Sequence, residues 1–249
     1  MSAHKLLMEH RYDESIEICR ERLASDSNDW RALGTLALAL RATKAYGEAL
    51  VHLQRLSAHE QAQTELTPGS PGRLEDISCL YWIMDGHKKA IQIAGELAKG
   101  VLKGKIKYGD IAGAVTQGTI LYYMGISLHD QETAAFAIKF MQNRVKRSAI
   151  RNWPGPVARY YLGELSLEDL LEAATRKRSL SEAISVARTD LLSRRCLCVA
   201  LFHDGVRNRA LGLEPLCMER MQQCCALEDP VLEQEWYLAR YEVERAGSK

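Results

Sequence analysis

Apolar residues recur along this chain at helical rather than strand spacing. Leu33, Leu36, Ala37 and Leu40 fall at i, i+3, i+4 and i+7, one face of a helix. Ala49, Leu50 and Leu53 begin a second stripe just beyond a polar break, so two antiparallel helices joined by a short turn are predicted. Upstream, RYDESIEICRERL aligns with AYGEALVHLQRL: Tyr12 with Tyr46, Ser15 with Ala49, Ile16 with Leu50 and Cys19 with Leu53, each pair 34 apart. A fixed period of that length marks a stacked helical repeat.

These residues resemble the tetratricopeptide repeat family. Leu33, Leu36, Ala37, Leu40, Ala49 and Leu53 stand at its large, large, small, large, small and large positions. Small residues let the two helices of a hairpin approach, and large ones fill the groove between hairpins. The family's usual Trp and Gly are Leu33 and Ala37 here, and the first copy lacks most of its first helix. The resemblance covers about the first quarter of the chain, residues 1–58.

HEQAQTELTPGSPGR, residues 59–73, is polar and rich in Pro, Gly and Ser, and reads as a loop or linker. Beyond it, residues 74–249 continue with longer, irregular hairpins packed on the first as one array. LEDISCLYWIM and HKKAIQIAGELAKGVL flank Asp85-Gly86, with Ala90 in the place of Ala49. Ile111–His129, 19 residues without a formal charge, pairs with the stripe Ala134, Ile138, Met141 and Val145. That stretch approaches the length of a membrane span, but three glycines and four Thr, Gln or Ser residues make it a buried helix instead. After Trp153–Pro156 a new helix is predicted from Pro156; Ser166 with Asp169 and Ser179 with Glu182 have capping-box spacing. Further helices are predicted over EAISVARTDLLSRRCLCVALFHDG, over Leu213–Leu227, and along Leu232, Trp236, Ala239 and Val243. No segment alternates as a strand does. The expected fold is all-α, about ten to twelve helices in antiparallel hairpins stacked as a solenoid.

Composition narrows the compartment more than the partner. A chain 47% apolar and 26% charged is that of a globular protein, and a net charge of +1 supplies no global field to attract a polyanion. Seven cysteines, an odd number mostly within apolar stretches, predict buried thiols in a reducing compartment. MSAHKLLMEHRYDE carries charges where a secretory leader keeps an apolar run, so a cytoplasmic location is expected.

Sites for chemistry are scarce. The glycines near Gly95, Gly100 and Gly104-Lys105 lack the preceding strand and the Ser or Thr of a phosphate loop. His59-Glu60 is followed by Gln63 where a zinc protease needs histidine. Cys196 and His203 share a helix face, but Cys198, Cys224 and Cys225 do not converge with them. No catalytic residue, metal or cofactor is therefore predicted, and the basic clusters Arg144–Arg147, Arg176–Arg178 and Arg194-Arg195 read as solvated helix ends. Neither nucleic acid nor a membrane is expected as a partner.

Four aromatic pairs stand out: Tyr81-Trp82, Tyr122-Tyr123, Tyr160-Tyr161 and Trp236-Tyr237. Helical neighbours lie about 100° apart, so one ring of a pair can enter the core while the other meets a partner. YWIMDGHKKAIQIAGEL, KIKYGDIAGAVTQGTILYYMGISLHD and WPGPVARYYLGELSLEDLL also resemble helical-repeat immunity proteins encoded beside secreted bacterial polymorphic toxins, including type VI secretion effectors. The third segment resembles the last repeats of bacterial tetratricopeptide lipoproteins as well, though the chain has no lipobox cysteine. The resemblance implies a non-enzymatic cytoplasmic protein that blocks a cognate toxin's active site or substrate path, such as that of a nuclease. Its expected contacts are Tyr81, Asp85, Tyr122, Tyr123, Asp130, Tyr160 and Tyr161, with carboxylates including Asp76 and Asp110 meeting a basic cleft. The alternative is a scaffold that grips a peptide in a concave groove lined by Arg31, Leu38 and Arg41.

Overall fold

The structure is a computed structural model that describes residues 1–62, 70–106, 112 and 114–247. Every regular element among them is helical: α1 (Ala3–Met8), α2 (Tyr12–Ser25), α3 (Trp30–Ala42), α4 (Tyr46–Ala62), α5 (Ser70–Ile83), α6 (His87–Leu102) and α7 (Val115–Ser127) come first. Then follow α8 (Gln131–Arg144), a 3-10 turn at Ser148–Arg151, α9 (Gly155–Tyr161), α10 (Leu167–Thr175), α11 (Leu180–Ala187), α12 (Leu191–Ala210), α13 (Glu214–Cys225) and α14 (Gln234–Gly247). No described helix is long and apolar enough to cross a membrane.

Helices adjacent in sequence pack on one another, α3 on α4, α5 on α6 and α7 on α8. Ala37 and Ala49 are fully buried between α3 and α4, with Leu33, Leu36, Leu40 and Leu53 around them. At the α7–α8 pair Gly125 has the same task in a stricter form, since a Cβ there would meet the Ala134 backbone nitrogen at 2.7 Å.

One turn chemistry recurs. After α1, α3, α5, α7, α9 and α12 the chain places a residue in the left-handed region: His10, Lys44, Asp85, His129, Gly163 and Gly212. The next amide reaches back six residues inclusive: Arg11 N to Leu6 O, Ala45 to Leu40, Gly86 to Tyr81, Asp130 to Gly125, Glu164 to Arg159 and Leu213 to Asn208, all at 2.7–2.9 Å. This bond closes a helix C-terminus by capturing one of its orphan carbonyls.

Three boundaries differ from the sequence reading. The loop expected over 59–73 is invaded from both sides, because α4 continues to Ala62 and α5 begins at Ser70; residues 63–69 lie outside the described residues. Among the described residues of Ile111–His129, Val115–Ser127 form the helix α7. The run opening at Ser179 divides after Ala187, where Asp190 accepts the Ser193 amide at 2.8 Å and starts α12 afresh.

The packing also reaches beyond sequence neighbours. The long helix α12 is buried against α7, α9, α10, α11, α13 and α14, and α14 returns to lie on α5. Polar contacts pin this return: Lys44 to Glu244 at 2.7 Å, Arg240 to the Tyr46 hydroxyl at 2.9 Å, and the Tyr241 hydroxyl to Asp85 at 2.7 Å. The returning segment also inserts Val231 into the apolar cluster of the first helices.

Candidate functional site

Where α14 comes back across the molecule it encloses a cleft of about 400 Å³ with α5, α7, the turn before α9, and α12. Glu75 and Asp76 come from α5, Arg195 from α12, Glu233 from the residue just before α14, and Gln234 and Glu235 from its first turn. Trp153, Pro154, Val199 and Leu232 supply apolar wall, and Leu192, 66% exposed, stands at the rim. Carboxylates beginning α14 also suit the positive end of its dipole.

Beneath the cleft lies a buried cation. Arg41, 1% exposed, donates from Nη1 to Asp76 Oδ1 at 3.1 Å and from Nη2 to the Val231 carbonyl at 2.7 Å, while its guanidinium lies 4.2 Å from the centre of the Tyr237 ring. Val231 has a φ of 65°, costly for a β-branched residue. Its surroundings hold it there: Asp229 accepts its amide at 2.7 Å and the hydroxyls of Tyr12 and Tyr237 at 2.9 Å. An arginine on α3 thus fixes the α5 carboxylate and the segment leading into α14 together.

A second frame lies behind Glu235. The fully buried His203 on α12 meets the Tyr161 hydroxyl through Nδ1 at 2.8 Å and Glu235 Oε1 through Nε2 at 3.2 Å. A ring proton on Nε2 satisfies both, since Nε2–H donates to the carboxylate and Nδ1 accepts from the phenol. Alongside, Asp204 accepts from the Tyr160 hydroxyl and, at 2.7 Å, from Arg220 Nε.

The remaining groups are rich in acceptors. Glu75 accepts from the Thr116 hydroxyl at 3.2 Å and from the Gln117 amide, and Glu233 accepts from Arg195 Nε. Burial first and Arg41 in opposition leave Asp76 above the ordinary carboxylate range. Burial first, then the neighbouring Glu235 carboxylate, push Glu233 up as well, against the pull of Arg195 and Arg41. Cys196, at the edge of the cleft, is pushed up to about 12 by burial and is a thiol at neutral pH.

The raised Glu233 makes a pH prediction. A carboxyl that holds its proton more tightly folded than unfolded contributes stability in full below its unfolded value, about 4.3 for glutamate, and loses it as pH rises through the folded value. Glu75, Asp76, Glu235, Arg195 and Arg41 surround the group and set that window. Wild type is therefore expected to lose urea resistance relative to Glu233→Gln as pH climbs from about 4.3. Midpoints measured at stepped pH check this, and parallel curves contradict it.

The contacts expected from sequence disperse. Arg31 and Leu38 line a separate groove of about 470 Å³ with Trp30 and Leu56, whereas Arg41 does not reach it because its charge is consumed in the buried frame. In each aromatic pair one ring is buried and the other half-buried. Tyr123 is enclosed, accepting from Trp82 Nε1 at 2.7 Å and donating to Glu242 at 2.7 Å, and Tyr160 is enclosed by Asp204. Neither ring is open to a partner. Tyr81 and Tyr122 remain half-buried, Tyr122 packed against Tyr161. Asp85 is exposed and accepts from Tyr241, while Asp130 caps α8 through the Thr133 amide at 3.0 Å; Asp110 lies outside the described residues. Of the residues singled out in the sequence, Asp76 is the acid that joins the cleft. A signal for Arg41 exists in the sequence: it lies four residues past Ala37 and eight past Leu33, on the buried face of α3.

All seven cysteines are free, Cys198 and Cys224 meeting in the core with sulfurs 3.3 Å apart. Among the described residues no three His, Cys, Asp or Glu side chains converge as metal ligands do. No protein-family model matches this chain, and no curated protein matches it.

Proposed function

We propose that this protein is a non-enzymatic binding module, a cytoplasmic immunity protein that neutralises a cognate secreted toxin by covering its active site or substrate path. The repeated turn after α1, α3, α5, α7, α9 and α12 supports hairpin stacking of the tetratricopeptide type. The observation that carries the binding reading is the cleft: acidic groups on buried frames, apolar walls, and the exposed Leu192 at the rim. Preformed anchors surrounded by apolar surface are what a protein interface needs. In this reading a basic surface of the toxin docks there, which reconciles a near-neutral chain with local complementarity.

The groove of Trp30, Arg31, Leu38 and Leu56 favours the second reading, a scaffold that grips a peptide. Co-expression with the toxin encoded beside it separates the two. Growth protection with a co-purifying complex is expected; survival no better than with an empty vector, and no complex, removes the immunity reading.

A further inference from the structure

We propose that the acidic cleft between α5, α12 and α14 is the seat of an arginine side chain presented by the partner protein. This rests on the protein-binding reading above and names the group that reading must supply.

The side chains lining the cleft are weighted toward acceptors. Glu75, Asp76, Glu233 and Glu235 face a single lining arginine, Arg195. Gln234 also lines the cleft, is 7% exposed, and holds its side-chain Oε1 without a hydrogen-bond partner. A buried acceptor left open costs about 1–3 kcal/mol, which a ligand N–H recovers on binding. Together these acceptors exclude an anion and select a cation carrying several N–H groups.

The walls decide which cation. Trp153 and Leu232 offer an aromatic and an aliphatic surface beside the carboxylates, matching a flat cation on an apolar stem. Guanidinium is planar, stacks on aromatic rings, and presents a fork that engages carboxylates in pairs; ammonium is more strongly hydrated and does neither as well. A bare metal ion would leave the apolar wall unused. An arginine held by a folded partner also arrives with part of its ordering cost already met.

The test uses the full chain and three capped tripeptides, glycine–X–glycine, in which X is arginine, lysine or citrulline, the last keeping arginine's shape without its charge. Calorimetry is expected to show saturable millimolar binding of the arginine peptide, with the citrulline and lysine peptides each weaker by about tenfold or more. Glu233→Gln and Gln234→Leu, each with wild-type circular dichroism, are expected to weaken the arginine peptide by about tenfold and several-fold respectively. Equal binding of arginine and citrulline, lysine as tight as arginine, or no binding at millimolar concentration overturns the assignment. Failure here is distinguishable from failure of the parent reading. A toxin complex unaffected by Glu233→Gln leaves protein binding intact and removes the arginine seat. Arginine-peptide binding without any toxin complex or protection removes the immunity reading and the partner as the source of the arginine.

Discussion

Arg41→Met is expected to destabilise the protein by about 3–5 kcal/mol, the range for removing one partner of a buried ion pair. The methionine roughly fills the space but leaves the Asp76 carboxylate buried without its cation and the Val231 carbonyl without its donor. Asp76 is held above the ordinary carboxylate range even with Arg41 beside it, so without Arg41 it is expected to protonate on folding. Arg41→Lys should recover little. One ammonium cannot reach two acceptors in different directions while lying flat on the Tyr237 ring. Urea midpoints of the variants check the expectation, and a loss below about 1 kcal/mol for Arg41→Met would place the pair among those that contribute nothing net. The double variant Arg41→Met with Asp76→Leu should regain much of the loss, because an apolar replacement of both partners leaves no buried charge behind.

Local signals in the sequence carried the parts of the fold that depend on nearby residues. Ser166 and Asp169 form the reciprocal capping box their spacing suggested, and Ser179 accepts the Glu182 amide and donates to its carboxylate. Alanines at 37 and 49 sit where two helices need small residues to approach. The turns were harder to see. Only Gly163 and Gly212 among the six use the residue that normally signals a left-handed cap; His10, Lys44, Asp85 and His129 bear side chains there. The tertiary packing of each hairpin outweighs the modest backbone cost, so composition understates the regularity.

The cleft was hidden for a different reason. Its carboxylates lie in two stretches, 75–76 and 233–235, joined only because α14 returns onto α5. A periodic helical pattern predicts which face of a helix is buried, but not that a distant helix closes the array. Arg41 shows the same gap from the other side. The sequence reading set it in a concave groove with Arg31 and Leu38, whereas its register on α3 buries it and its partners Asp76 and Val231 are 35 and 190 residues away. A charged residue on a buried face implies a partner of opposite charge without naming it.

His203→Phe carries the second large expected effect, because the substitution preserves an aromatic ring and removes only its nitrogens. The Tyr161 hydroxyl and the Glu235 carboxylate then lose the contacts at 2.8 and 3.2 Å that bridge α9, α12 and α14. Glu235 is 3% exposed, so its side chain would stand in the interior without its donor. The expected loss is again about 3–5 kcal/mol, well above what an exchange of one packed ring for another costs. The triple variant His203→Phe, Tyr161→Phe and Glu235→Leu separates polarity from packing, since every member of the chain becomes apolar at once. It should recover to within about 1–2 kcal/mol of wild type, because no buried polar group is left wanting. If the single and triple variants unfold at the same urea concentration, ring fit rather than unmet hydrogen bonding governs the site. Recovery in the triple accompanied by loss of arginine-peptide affinity would locate the purpose of this network: it positions the Glu235 side chain at the wall of the cleft.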